Sequence, residues 1–359
     1  MTQSTPHDAP KTSDADTPRH RSVTVVMTVK NDAPGCSVTL ESLLHQTRCP
    51  DEVIVVDGGS NDNTVATLRH FSSVIRNFRI IQAPGANIAA GRNVGTASAE
   101  GEIIASIDGG CRAQPAWLAE LIRPFELDSP VDFVAGLYRV EAHNLLEQVV
   151  GLATMRGQLE PVESRTFNPS ARSMAFTKEL WTRAGGWPEW LHFSEDTLFD
   201  HRVRSLNASW YLAEGAVVDW RPRGSLRGIA RQFYHYGTGR GHTQIDAASF
   251  AYNLRNAGLF ALTLLCACLF ASVWPITAVF FLYFYVWAFH SRARRVARAA
   301  GRLAAYPLCI LVMWLVLVSN SFGYLVGSWQ RMRDRERYRT SLDQYLAGRL
   351  SSSKPEWAA

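Results

Sequence analysis

From residue 22 onward the chain alternates short apolar runs with polar turns that carry glycine. Val23–Val29 and residues 53–56, 78–81 and 103–107 are mostly β-branched and lack the every-second-residue alternation of a half-exposed strand. Such runs predict strands buried on both faces, as in a parallel sheet covered by helices. Between them the period lengthens. Leu40, Leu43 and Leu44 mark one helix, Thr64 begins another, and residues 85–95, rich in Gly and Ala, open a third. The second half predicts a strand over 131–140 and an amphipathic helix over 141–158 with Leu145, Leu146, Val149, Val150 and Leu152 inward. A further helix is closed by Ala184-Gly185-Gly186, and two short strands, 210–212 and 216–219, form a hairpin-like pair. Strands interleaved with helices make this an α/β chain.

The buried strands stop at polar residues, and the carboxyl edge of a parallel sheet is where such folds take ligands. The first ends before Asn31 and Asp32, the second at Asp57 with Gly58 and Gly59, the fourth at Asp108-Gly109-Gly110. Carboxylates there suit a donor such as a ribose hydroxyl or a base N–H. Two readings stand open for several of these residues. Asn31, Asp32 and Asp108 serve equally as helix caps. Arg92 suits a phosphate or a structural ion pair, and Trp187 a sugar face or the core. Glu195 and Asp196, at a helix start, suit acid–base chemistry or simple complementation of the helix dipole.

Residues 57–64, Asp-Gly-Gly-Ser-Asn-Asp-Asn-Thr, resemble the Asp-x-Gly-Ser-x-Asp-x-Thr signature of family 2 glycosyltransferases. The resemblance extends over residues 23–241. It implies a GT-A fold, a Rossmann-like, mostly parallel sheet flanked by helices, acting on nucleotide-activated sugars. By resemblance the donor is held by Asn31, Asp32, Asp57, Gly58, Arg92, Asn93, Asp108, Arg231 and Arg240. Asp196 is the base, Glu195 its neighbour, which binds acceptor or orients the helix, and Trp187 a second acceptor contact. The family's Asp-x-Asp position binds a divalent metal, Mg or Mn. Here Gly110 replaces its second carboxylate, which leaves Asp108 and, as a substitute ligand, Asp219. Processive members carry Gln-x-x-Arg-Trp where residues 231–241 end Tyr-Gly-Thr-Gly-Arg-Gly. That departure implies one sugar added at a time and resembles membrane-anchored exopolysaccharide-type members.

Composition changes the picture at the two ends. The net charge of +5 is modest and its arginines crowd toward the C-terminus, which favours a membrane surface over nucleic acid. Six cysteines without a CxxC pair indicate neither a disulfide framework nor a zinc site. Residues 1–21 are polar, predicting a disordered tail, and lack the apolar core of a signal peptide. A glycosyltransferase domain is expected over 22–245 and a membrane region over 246–330, with apolar segments at 257–274, 275–290 and 303–329 divided by Pro275 and by a basic linker. A basic tail follows over 331–359. The positive-inside rule keeps the linker in the cytoplasm with the catalytic domain, although three spans put the equally basic tail outside. The expectation is a multi-pass inner-membrane protein, an inverting glycosyltransferase that moves sugar from a nucleotide-sugar to a lipid-linked or other membrane-associated acceptor in cell-surface polysaccharide synthesis. The alternatives are a catalytically silent nucleotide-sugar-binding scaffold of a polysaccharide assembly and, less well matched, a nucleotidyltransferase.

Overall fold

The computed structural model describes residues 21–127, 131–155, 157–159, 162, 167–283 and 287–348. The expected disordered tail falls almost wholly outside them. In chain order the domain runs β1 (Val23–Val29), α1 (Ala33–Leu44), β2 (Glu52–Asp57), α2 (Thr64–Ser72), β3 (Phe78–Gln82), α3 (Ile88–Ser98), β4 (Ile103–Ser106), β5 (Arg112–Ala113) and α4 (Trp117–Glu126). There follow β6 (Phe133–Val140), α5 (Leu145–Thr154), β7 (Met174–Thr177), α6 (Lys178–Ala184), α7 (Glu195–Ser205), β8 (Trp210–Trp220) and α8 (Leu226–Thr243). The strands form one sheet in the order β3-β2-β1-β4-β7-β6-β8-β5. Its first four strands are parallel, and β7 enters antiparallel between β4 and β6.

The parallel half is covered on both faces, which is why its strands are uniformly apolar. Val25, Met27, Val53 and Val55 face α1, α2 and α4, while Val26, Ile54, Val56 and Ile104 face α3, α6 and α7. Gly91 and Gly95 let α3 lie close on the sheet, since a Cβ at Gly91 would sit 2.9 Å from Thr28 Cγ2. Residues 210–220 are one strand, not the expected hairpin-like pair. Its pairing with β6 jumps from Gly136↔Ala213 to Leu137↔Val217, so residues 214–216 bulge out without reversing the chain.

Beyond α8 the chain continues as α9 (Ala247–Leu269), a 3₁₀ turn at Ala271–Val273, α10 (Trp274–Leu282), α11 (Ala288–Ala300) and α12 (Ala305–Arg333). A π-helical turn at Glu336–Thr340 and α13 (Ser341–Leu346) complete it. Among the described residues two helices are long and apolar enough to cross a membrane, α9 with mean hydropathy 1.2 and α12 with 2.0. Pro275 sits in the first turn of α10, a position that tolerates its missing N–H, and α9 and α10 pair as a hairpin with Thr277 Oγ1 donating to the Thr263 carbonyl. The third expected span, α12, packs one side against the domain. Gly237 and Gly241 of α8 meet Gly323 and Gly327 of α12, each where a Cβ would strike the other helix's backbone. The basic linker forms α11, tied to α5 by Arg292 donating to the Ala153 carbonyl at 2.6 Å. The tail also folds back: Leu342 and Tyr345 bury against Leu191 and Leu198, and Tyr345 Oη donates to the Gly186 carbonyl at 2.8 Å.

Candidate functional site

At the ends of β1 and β2, Asn31, Asp57 and Ser60 form a bonded cluster. Asp57 is buried and accepts the Ser60 N–H and hydroxyl, while the Asn31 N–H donates to Ser60 Oγ at 2.8 Å. Asn31 holds a left-handed backbone, φ 54°, and its Oδ1 accepts the Asn61 N–H at 2.9 Å. Asp32 caps α1 through the Gly35 N–H. Its carboxylate also lies below the Gly109–Gly110 turn, 3.9 Å from where a Gly110 side chain would begin. Gly58 has room for little more than hydrogen, because a Cβ would lie 3.3 Å from the Ala86 carbonyl. Capping and ligand-edge readings therefore coexist at Asn31, Asp32 and Asp57.

The centre of the site is Arg92, buried on α3. Its Nη2 donates to Asp108 Oδ1 at 2.8 Å and its Nη1 to Glu195 Oε1 at 2.7 Å, with the guanidinium 4.9 Å from the Trp187 ring centroid. Burial works against its charge, yet Asp108, Glu195 and Asp196 outweigh that and hold its pKa above the usual value. Burial likewise pushes Glu195 upward, opposed by Arg92. Asp196, the next residue, is half-exposed. It accepts the Thr197 N–H at 2.8 Å and lies 3.5 Å from Ser170 Oγ. Its oxygens have no ion pair among the described residues.

Several expected site residues are engaged elsewhere. Trp187 is 2% exposed and stacks on Phe199, so it offers no face to a sugar. Glu195 is buried on Arg92 and offers little surface to an acceptor. Asn93 spans the Trp187 backbone, Trp181 Nε1 and Glu189, using its amide to fix the Gly185–Gly186 turn. Asp219 takes Arg139 Nε at 2.8 Å and a hydrogen bond from Gln114 at the β5–β8 edge, and has no contact with Asp108. Arg240 pairs with Asp246, and Arg231 turns toward α12. No group of three or more His, Cys, Asp or Glu among the described residues is disposed to hold a metal ion.

One residue was missed. Arg172 lies 4.8 Å from the Trp220 ring centroid, approaches Asp108 Oδ2 at 3.9 Å and donates to Ser170 Oγ at 2.9 Å and Tyr236 Oη at 3.3 Å. It thus connects Asp108 to the Ser170–Asp196 pair. The signal was an arginine among small residues just before a buried strand, Ser170-Ala171-Arg172-Ser173, too common to single out.

A carboxylate-lined sheet edge beside an unpaired Asp at a helix start fits a known group of enzymes, and residues 24–177 match the family model "Glycosyl transferase family 2". Residues 24–177 are a family 2 glycosyltransferase domain. The domain is 33% identical over 117 residues to Glycosyltransferase AglE of Haloferax volcanii, covering 32% of this chain and 38% of that protein. It is 28% identical over 234 residues to Pre-mycofactocin glycosyltransferase of Mycobacterium tuberculosis, covering 62% and 47%. The chain therefore spans less than half the length of these curated relatives. In fold it resembles the mannosyltransferase PcManGT of Pyrobaculum calidifontis, solved with GDP-Man and Mn2+. The TM-score is 0.50 at 19% identity, covering 92% of this chain and 87% of that one. GalNAc-T7, solved with UDP, GalNAc and Mn2+, matches with TM-score 0.50 at 15% identity, covering 66% and 51%.

Proposed function

We propose that the chain is an inverting glycosyltransferase that moves one sugar at a time from a nucleotide-sugar to a membrane-associated acceptor in cell-surface polysaccharide synthesis. The observation that carries this is the contrast between two adjacent carboxylates. Glu195 is buried on Arg92, whereas Asp196 stands half-exposed and without an ion pair at the same helix start. Inversion needs one base for the acceptor hydroxyl and positive charge for the departing diphosphate. Asp196 supplies the base. Arg172, beside both Asp108 and Ser170, supplies donors where the leaving group's charge develops, and Asn31, Asp32, Asp57 and Gly58 take the nucleoside end.

Among the described residues of the site, Asp108 is the one fitted to a divalent ion such as Mg or Mn. It keeps partial exposure, and hard ions are commonly held by one or two carboxylates together with substrate phosphates. Gly110, with φ +83°, gives the backbone a turn that an Asp would adopt only under strain. When bound, such an ion would neutralise diphosphate charge. The protein's own contribution is the Arg92–Asp108 pair, which fixes that carboxylate's direction.

The alternative of a silent binding scaffold is weakened by the unpaired Asp196, and a nucleotidyltransferase has no use for it. The chain is seated on the cytoplasmic face of the inner membrane by the α9–α10 hairpin and the outer face of α12, in place of the multi-pass arrangement. Both ends of α12 lie against domain elements, α5 and α11 at one end and His242 at the other. Asp196→Asn is the test. General-base catalysis is worth about 100- to 10,000-fold, so turnover should fall by that order with nucleoside diphosphate affinity unchanged in calorimetry. Full transfer by the variant would put the base elsewhere.

A further inference from the structure

Helix α8 has two working sides. Tyr236 and Gly239 face Arg172 and the Phe193–Ser194 backbone beside α7. Around the helix, Arg227, Arg231, Tyr234 and His235 line a cleft of about 490 Å³ whose opposite wall is Val318 and Phe322 of α12. Arg227 and Arg231 are one turn apart on the same face, both exposed, and neither has an acidic partner among the described residues. Like charges at that spacing destabilise a helix unless something negative lies between them. Paired guanidinium forks match the geometry of a phosphate.

The other wall excludes a simple anion site. Val318 and Phe322 are each 60% exposed and belong to a stripe of α12 that includes Leu311, Leu325 and Trp329, all facing outward. A ligand matched to both walls has an anionic head and a long apolar tail. The cleft also points toward the chemistry. His235 stacks on Phe193 with ring centroids 4.1 Å apart, and Phe193 lies three residues before Asp196.

We propose that the α8–α12 cleft binds the phosphate head of a long-chain lipid phosphate in the membrane, Arg227 and Arg231 on the phosphate and the tail along the α12 stripe. The lipid lies beside α7 as the carrier of the acceptor sugar, whose hydroxyl is the group that Asp196 deprotonates. Its role as acceptor carrier rests on the glycosyltransferase reading; its binding does not. This also gives Arg231 a function other than holding the donor diphosphate.

The experiment uses the full chain in neutral maltoside micelles with dodecyl phosphate as the probe, followed by calorimetry. Saturable binding is expected, weakened at least tenfold in the Arg227→Gln/Arg231→Gln double variant and also weakened by Phe322→Ser. Both arginines are exposed, so nucleoside diphosphate affinity in the double variant should match the wild type and serve as the check of folding. Inorganic phosphate should not displace the probe at equal concentration. Absence of saturable binding, unchanged binding in the double variant, or equal displacement by inorganic phosphate would each overturn the assignment. A wild type that binds no nucleoside diphosphate would instead sink the glycosyltransferase reading, whatever the cleft does.

Discussion

At the residue scale, Arg92 decides which carboxylate does what. One guanidinium holds Asp108 on the donor side and Glu195 at the start of α7, so the two halves of the site are fixed relative to each other by a buried pair. Removing one partner of such a pair costs about 3–5 kcal/mol. Asp108 keeps one oxygen turned from Arg92, which is too little for an ion by itself. Mn2+ titrated into the protein alone should therefore show no saturable binding, and binding should appear once nucleoside diphosphate is added; paramagnetic resonance of free Mn2+ reads both. Asp200, one turn after Asp196, gives a pH prediction. Burial pushes its carboxyl up to about 6 despite its pairing with Arg204. Between its unfolded value near 4 and about 6, the folded protein keeps a proton that the unfolded chain has released, so this group makes stability fall as pH rises through that window. Asp200→Asn should flatten that part of the urea-midpoint profile by on the order of 2–3 kcal/mol, an unchanged slope counting against it. The sequence made Asn31, Asp57, Asp108 and Asp196 legible because each follows an apolar run or opens a helix. It could not separate Glu195 from Asp196, nor reveal Arg172, because which oxygen is buried depends on a partner over one hundred positions away in the case of Arg92 and Glu195.

At the element scale, the strands were legible where burial on two faces forces continuous apolar runs, and less so where a bulge intervenes. Residues 213–215 read as a turn because Glu214 and Gly215 favour one, yet β8 continues since β6 pairs with it on both sides of the irregularity. The apolar helices were legible as apolar, but their packing was not. Hydropathy records that α12 avoids water. It says nothing of the glycine positions by which one side of that helix meets α8. These give a paired prediction. A Cβ at Gly237 would meet the Asn320 carbonyl and the Tyr324 N, backbone atoms that cannot yield, whereas Gly258 in α9 has open space around it. Gly237→Ala should destabilise the domain by about 1–3 kcal/mol through overpacking. Gly258→Ala should be neutral or stabilising by about 0.5–1 kcal/mol from helix propensity. Equal effects in thermal unfolding would mean that α8 and α12 do not touch as described.

At the scale of the whole molecule, the question is on which side of a membrane each end of the C-terminal region lies. Three crossings would separate the basic linker from the basic tail, yet both touch the same domain: Arg292 reaches the Ala153 carbonyl, and Arg331 the His242 carbonyl. Tyr345 and Leu342 then pack beside Leu198 of α7, the helix that carries Asp196. On these contacts we propose that linker, tail and α7 share one side of a membrane, which removes the conflict with the positive-inside rule. The remaining candidate for crossing is the α9–α10 hairpin. We propose that this hairpin dips into the near leaflet and returns, because α11, which follows it, is tied back to α5 of the domain. Single cysteines replacing Arg295, Arg337 and Leu269, the last exposed at the hairpin tip, should all resist an impermeant maleimide added to intact cells in a chain whose other exposed cysteines are replaced. After lysis the first two should label fully. Labelling of the Leu269 position from outside would show that the hairpin crosses, and labelling of the Arg337 position would place the tail apart from the domain and undo its contact with α7.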